Sequence, residues 1–116
     1  MRIDKDLVAA SATPLVLGIL SEGESYGYAI GKRVHELSAG RLAWTDGMLY
    51  PLLHRLERLG YVSASWGVSD QGRRRKHYAI TRPGHAALSE QRRQWAAVNE
   101  TLEKLWQGPM FAGGLA

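Results

Sequence analysis

The sequence contains no cysteine, and this absence excludes several classes of protein. Disulfide frameworks, thiolate zinc sites and cysteine nucleophiles all require that residue. A chain without cysteine is compatible with a reducing compartment, and we predict a cytoplasmic protein. The four histidines show no metal-ligand spacing, and no nucleophile elbow or phosphate-binding loop is present. The sequence therefore predicts a protein that is not an enzyme and has no cofactor or metal.

The chain also lacks an apolar run long enough to span a bilayer. Its most apolar stretch, residues 7–20, falls short of the roughly 20 apolar residues that a membrane helix needs. A signal peptide is the closer alternative, but Asp4 and Asp6 replace the expected positive segment and no small-residue cleavage site follows Leu20. We expect a helix that is buried on most of its surface and ended by Gly23, with Pro14 either kinking it or starting its second half.

Acidic residues are outnumbered by basic ones, 11 against 15, which gives a formal net charge of +4. This mild excess permits a polyanionic partner without requiring one. The position of the charge says more, because four consecutive basic residues carry as much charge as the whole excess: Arg73, Arg74, Arg75 and Lys76. A chain of 116 residues is near the lower limit for a self-sufficient core, which leaves room for a partner subunit.

The rest of the chain is organised around residues 45–60, which have the apolar period of a helix. The predicted inward stripe consists of Leu49, Leu52, Leu53, Leu56 and Leu59. The opposite face holds Gly47, Tyr50, Pro51, His54 and Arg58, flanked by Met48 and Arg55. This face has no carboxylate at its centre, and such a helix suits the major groove of DNA. An ordinary amphipathic helix with a solvated face shows the same pattern when taken alone.

Two helix-weakening residues lie near the start of this helix. Pro51 removes the hydrogen bond to the carbonyl of Gly47, so either the first turn is irregular or the helix begins later than Thr45. The free amides of a helix N-terminus bind anions, and a glycine lets a phosphate approach the backbone closely. We therefore predict that Gly47 and Pro51 shape a contact with DNA.

An earlier helix is predicted over residues 25–37, with Ser25 as its N-cap and Gly40 after its C-terminal end. Its predicted inward stripe is Tyr26, Ile30, Val34 and Leu37. The outward face holds Tyr28, Lys32, Arg33 and Glu36, a set that could touch phosphates or simply be solvated. Two helices joined by a short connection have the proportions of a helix-turn-helix motif, in which the second helix enters the groove.

After Gly60 the apolar period changes from that of a helix to that of a strand. Val62, Ala64 and Trp66 share one face of a first strand, and Tyr78 and Ile80 share one face of a second. The simplest structure is an antiparallel hairpin whose tip and returning strand carry the basic run. A basic run is usually only a solvated surface. Directly after a helix-turn-helix, however, the hairpin indicates a winged helix over residues 1–80, whose wing reaches phosphates or the minor groove.

The last segment, residues 81–108, predicts a long helix with Thr81 as N-cap, Pro83 in its first turn and a stop at residues 108–109. Apolar residues form a heptad-like seam of Leu88, Trp95, Val98, Leu102 and Leu105. This helix is too long for a small core to cover, so we predict a homodimer through it, assisted by the first helix at Leu15. Trp95 is either a packed interface residue or a ligand contact. Residues 109–116 form a predicted flexible tail.

Three motifs carry a resemblance to a known family: E-S-Y-G-Y-A-I at residues 24–30, D-G-M-L-Y-P-L-L-H-R-L-E-R-L-G-Y-V at residues 46–62, and G-R-R-R-K-H-Y-A-I-T-R-P-G at residues 72–84. Together they resemble the PadR family of winged-helix transcriptional repressors, and the single last helix is similar to its short subfamily. The resemblance implies a two-fold dimer and, in some members, a flat apolar ligand held between subunits near a tryptophan that Trp95 matches. Met48 departs from the threonine usual at its place, which puts one phosphate or cap contact in question.

The predicted fold is mostly α with a small β-hairpin wing, a winged helix-turn-helix followed by a C-terminal dimerisation helix. We predict a dimeric repressor of an inverted-repeat operator in double-stranded DNA, released by a small planar apolar effector at the dimer interface. The predicted DNA contacts are Lys32, Gly47, Tyr50, Pro51, His54, Arg55, Arg73, Arg74, Arg75 and Lys76. The alternative is a winged-helix module that binds only protein, since a fold does not fix a function.

Overall fold

The computed structural model describes residues 1–107, which form four helices and a three-stranded sheet. The order is α1 (Lys5–Ser21), β1 (Ser25–Tyr26), α2 (Gly27–Leu37), α3 (Asp46–Arg58), β2 (Val62–Val68), β3 (Arg74–Ile80) and α4 (Arg82–Trp106). The sheet is antiparallel, with strand order β1-β3-β2. The predicted class, mostly α with a small β wing, is confirmed. The predicted helix stop at residues 108–109 and the predicted tail lie outside the described residues.

The core forms where α1 packs against α2, α4 and strand β3. Its buried side chains come from every helix and from both long strands: Ala12, Val16, Leu17, Ile19, Leu20, Ile30, Val34, Leu49, Leu52, Leu53, Leu56, Val62, Tyr78 and Leu88. The second half of α1 is buried as predicted, but its first half is not, since Leu7 is 55% exposed. Pro14 lies inside one continuous helix. No helix within residues 1–107 is both long and apolar enough to cross a membrane.

The start of α2 differs from the sequence-based expectation. Ser25 is not a helix cap, because Ser25 and Tyr26 pair with Tyr78 and His77 as a short edge strand. The helix begins at Gly27 and has no side-chain cap. Tyr26 is consequently a half-buried strand residue and no part of a helical inward stripe. The predicted inward position of Leu37 was wrong, since Leu37 is 54% exposed where α2 ends. Ser38 is the C-cap residue, and Gly40 closes the helix end as predicted, with a φ of +79° and its amide donating to the His35 carbonyl at 2.8 Å.

Helix α3 begins directly after Thr45, whose hydroxyl accepts a hydrogen bond from the Met48 amide at 3.3 Å. The alternative that the helix begins later than Thr45 because of Pro51 is therefore excluded, and Pro51 lies inside the helix. Four of the five leucines of the predicted stripe are buried. Leu59 is the exception at 54% exposure, because the helix ends at Arg58 and the chain turns away from the core.

The first turn of α4 is fastened to the junction between α3 and β2. The Thr81 hydroxyl accepts from the Gly84 amide at 3.1 Å and donates to the Gly60 carbonyl at 2.6 Å, as the predicted N-cap requires. Leu88 lies one turn further, in the common core. The first turns of α4 thus pack with the winged helix, and a domain division at residue 80 stays a prediction.

Gly84 allows this close approach, since a Cβ atom there would overlap the Tyr61 carbonyl oxygen and lie 2.8 Å from Ile80 Cγ1. We expect Gly84→Ala to lower the free energy of unfolding by about 1–3 kcal/mol or more, because backbone would have to move. Urea denaturation measures the loss. Gly31→Ala is the matched control: no atom lies within 4 Å of its added Cβ, so helix propensity should make it neutral or stabilising. Equal stability of the two variants would contradict the expectation.

Candidate nucleic-acid interface

The outward face of α3 is exposed and divides into two sides. Tyr50 and His54 point towards the hairpin and line a cleft there. Pro51, Arg55 and Arg58 line a separate concavity between α3 and α1. The predicted DNA contacts of α3 therefore share one exposed surface. Tyr50 and His54 lie on its hairpin side, whereas Pro51 and Arg55 lie on its α1 side.

The cleft between α3 and the hairpin has a volume of about 400 Å³. It is both aromatic and basic, with a lining of Tyr26, Gly27, Tyr28, Tyr50, His54, Trp66, Arg74, Arg75, Lys76 and Tyr78. Helix α2, helix α3 and the hairpin each contribute to it. A groove with cations along an aromatic wall is suited to a nucleic-acid backbone and the base edges beside it.

Each cation of strand β3 rests on an aromatic ring. The Arg74 guanidinium lies 4.6 Å from the Trp66 ring centroid, and that of Arg75 lies 3.9 Å from the Tyr26 centroid. Such contacts contribute about 0.5–1 kcal/mol at exposed sites. They hold long side chains in defined places, so less conformational freedom is lost when an anion binds.

Lys76 differs from the arginines because it also has an acidic partner. Its Nζ lies 3.4 Å from Glu57 Oε1 on α3 and 5.6 Å from the Tyr78 ring centroid. Burial raises the pKa of the Tyr78 hydroxyl, so this phenol stays neutral near pH 7. Arg73 is exposed in the loop that precedes the strand. The basic run therefore lies at the tip and on the returning strand of the hairpin, where the sequence pattern predicted it.

Tyr50 packs against a neighbouring helix as well as lining the cleft. A Cβ atom on Gly27 would lie 2.5 Å from the Tyr50 hydroxyl oxygen, so the ring rests on the first turn of α2. Its exposed fraction is 39%. Tyr50 thus connects the two helices of the helix-turn-helix motif, in addition to facing outwards.

Four aromatic residues of the cleft were absent from the predicted contacts: Tyr26, Tyr28, Trp66 and Tyr78. Tyr28 is 71% exposed, with Lys32 one turn later on the same face of α2. Trp66 shares a strand face with the buried Val62, as the alternation predicted, but it is 61% exposed because it lies beyond the reach of the core, opposite Lys76. The sequence feature that could have predicted this exposure was the distance of Trp66 along the strand from the buried Val62.

The start of α3 is capped even though Met48 stands where the family usually has threonine. The Thr45 hydroxyl supplies the cap, and the Met48 side chain is half-buried against the core. The missing threonine hydroxyl at this position therefore removes no helix cap in this chain.

The later part of α4 exposes apolar side chains that nothing in the described chain covers. Exposed fractions are 52% for Val98, 37% for Leu102 and 73% for Leu105, whereas Leu88 is buried in the core. Trp95 is half-buried beside a cavity of about 430 Å³ between α1 and α4. The rest of this cavity is lined by Ile3, Leu7, Ser11, Pro14, Leu15, Leu42 and Arg92.

Comparison with known proteins identifies the family. Residues 16–90 match the transcriptional regulator PadR-like family. A transcriptional regulator of Mycobacterium tuberculosis is 39% identical over 79 residues, covering 68% of this chain and 70% of that protein. A PadR-like regulator of Bacillus cereus has a similar structure at 29% identity, with a TM-score of 0.78 over 89% of this chain and 98% of that one. A PadR family regulator of Eggerthella lenta gives 30% identity and a TM-score of 0.77, over 89% and 88%.

The matched segment contains both α3 and the hairpin, the two elements that form the cleft. Residues and fold thus lead to the same assignment: the chain belongs to the PadR-like family of transcriptional regulators.

Proposed function

We propose that this protein is a dimeric repressor that binds an inverted-repeat operator, with α3 in the major groove and the hairpin on the adjoining phosphates. The observation that carries the proposal is the shared cleft, where Tyr50 and His54 from α3 face Arg74 and Arg75 from the hairpin. Side chains that can read bases thus stand beside cations that can bind phosphates. A repressor bound in this way would block access to its promoter sterically.

Different roles follow from the positions of the predicted contacts. Tyr50, His54 and Arg55 are proposed to face bases or the nearby backbone, while Gly47 leaves the first turn of α3 open, with Thr45 Oγ1 at 3.8 Å from a built Cβ. Pro51 shapes the same end of the helix. The proposed phosphate contacts are Lys32, Arg73, Arg74 and Arg75, and Lys76 joins them only when it leaves its ion pair with Glu57.

A second copy of the chain is the proposed cover for the exposed part of α4. The seam consists of Trp95, Val98, Leu102 and Leu105, with Leu15 of α1 beside it. Leu88 contributes least, because it is already buried within one protomer. A two-fold dimer would present two α3 helices about 34 Å apart, which fits half-sites separated by one turn of DNA.

Selection from a pool of random duplexes tests the proposed function. We expect enrichment of an inverted repeat whose half-site centres lie one helical turn apart. A pool that never converges, with retained duplexes no different from the input, would favour the protein-binding alternative. Enrichment of a single half-site or a direct repeat would contradict the two-fold arrangement.

The cavity beside Trp95 is the proposed effector site. It is lined by apolar side chains except at Ser11 and Arg92, and it adjoins the exposed seam of α4. A planar apolar molecule bound there would release the operator if it favoured a dimer whose α3 helices are misplaced for DNA.

We expect a planar apolar dye to quench the fluorescence of Trp95 and to weaken operator binding at the same dye concentrations. Three other tryptophans are present, so the quenching must be compared with Trp95→Phe, in which the dye-dependent part should disappear. Fluorescence titration and DNA anisotropy on the same samples measure the two effects. Quenching of Trp95 at unchanged operator affinity would show that the site is not coupled to DNA binding.

A further inference from the structure

An ion pair joins helix α3 to the hairpin. Lys76 Nζ lies 3.4 Å from Glu57 Oε1, and the two side chains are 31% and 39% exposed. Within residues 1–107, Arg73, Arg74 and Arg75 have no carboxylate within 4 Å. The four residues of the basic run therefore differ in their charge partners, because only Lys76 is already paired with an acidic group within the described residues.

The geometry of this ion pair indicates that Lys76 can exchange the Glu57 carboxylate for another anion. Good charge-assisted hydrogen bonds between nitrogen and oxygen are about 2.7–2.9 Å long, so 3.4 Å is loose. A pair so exposed contributes little to folding stability. A DNA phosphate arriving at the cleft can compete for Lys76, but the Glu57 carboxylate then remains close to that phosphate and repels it.

The location of Glu57 places this repulsion beside the proposed DNA surface, because its partner Lys76 lines the cleft. Glu57 follows His54 by one turn on α3, on the side that faces the hairpin. Beneath the ammonium group of Lys76 lies the buried, neutral ring of Tyr78, which supplies no compensating charge.

We propose that Glu57 restrains DNA binding electrostatically: it keeps Lys76 from phosphates and lowers the affinity for DNA of any sequence. This inference rests on the proposed DNA-binding function. Glu57 acts through Lys76, and so it is a positioning residue. It sets how strongly the hairpin attracts the phosphate backbone of DNA. Base reading by α3 does not depend on it.

The test uses the full chain and two labelled duplexes, one that contains the selected operator and one unrelated. With Glu57→Gln, we expect affinity for both duplexes to rise by roughly tenfold near 0.15 M salt. The plot of log K against log salt should become steeper by about 2, since each protomer gains one phosphate contact at about 0.9 per contact. Glu57→Ala should act in the same way and replaces the first variant if that one does not fold.

Lys76→Met shows whether the effect passes through the lysine. In that background Glu57→Gln should leave the salt slope unchanged, because no released cation is present to bind phosphate. Glu100→Gln is the matched control: it removes one carboxylate from an ion pair with Lys104 on α4, and both affinity and slope should equal those of the wild type.

The outcomes separate this inference from the function on which it rests. If the wild type binds neither duplex in a salt-dependent way, the proposed function fails. If the wild type binds as proposed but both Glu57 variants bind DNA no more tightly than the wild type, the restraint is disproved. Weaker binding by both variants would show that Glu57 instead orients Lys76 for binding. An equal gain in slope with and without Lys76 would also disprove it.

Discussion

Replacing Arg74 and Arg75 together by alanine is expected to weaken binding to DNA of every sequence by roughly two orders of magnitude near 0.15 M salt. Both side chains line the cleft beside α3, and neither has a carboxylate partner among residues 1–107. A dimer would lose four phosphate contacts, so the slope of log K against log salt should fall in magnitude by about 3–4. Fluorescence anisotropy of a labelled duplex at several salt concentrations measures both quantities.

Two comparisons isolate the position of the charge from its amount. Arg93→Ala with Lys104→Ala removes the same charge from α4, where the two side chains pair with Glu90 and Glu100, and it should leave the slope unchanged. Arg74→Lys with Arg75→Lys keeps the charge and should recover most of the slope. If the α4 control and the alanine pair lose equal affinity, only the net charge matters and the hairpin is not the contact.

Replacing Leu102 and Leu105 together by glutamate is expected to convert the dimer to a monomer and to weaken operator binding a hundredfold or more. Both leucines are exposed in one protomer, and a two-fold seam would bring four buried carboxylates together. A monomer occupies a single half-site and loses the gain of about 10²–10⁴ that linked binding provides. Sedimentation velocity gives the mass, and anisotropy gives the affinity.

The control for this pair combines Ala97→Glu with Arg93→Gln. It changes the net charge equally, but both positions lie on the other side of α4 from the seam, so the mass of a dimer and the wild-type affinity should be retained. Circular dichroism confirms that each variant keeps its helices. A leucine variant that still sediments as a dimer would show that another surface joins the subunits.

The sequence was most informative where one element alone determines the outcome. The leucine period predicted α3, and Thr45 marked its start because a hydroxyl cap acts on the next few residues. Period-two alternation predicted both long strands. The failures, at Ser25, Leu37 and Leu59, lie at element ends, where pairing with a distant strand or the departure of the chain outweighs local pattern.

The candidate site could be predicted only in part, for a related reason. The faces of α3 and the position of the basic run follow from spacing within each element. The stacking of Arg74 on Trp66, the contact of Tyr50 with Gly27 and the Glu57–Lys76 pair join different elements. Their partners are chosen by how the hairpin folds back on α3, and no local period contains that information.

The measurement that tests the central claim most directly is the binding of the wild-type protein to a labelled inverted-repeat duplex, titrated at several salt concentrations. We expect two protomers per duplex, and log K should fall linearly with log salt with a slope of roughly −5 or steeper, as six or more phosphate contacts require. Binding that is insensitive to salt, or that treats the inverted repeat and a scrambled duplex alike, would contradict a dimer that reads DNA through α3 and its basic hairpin.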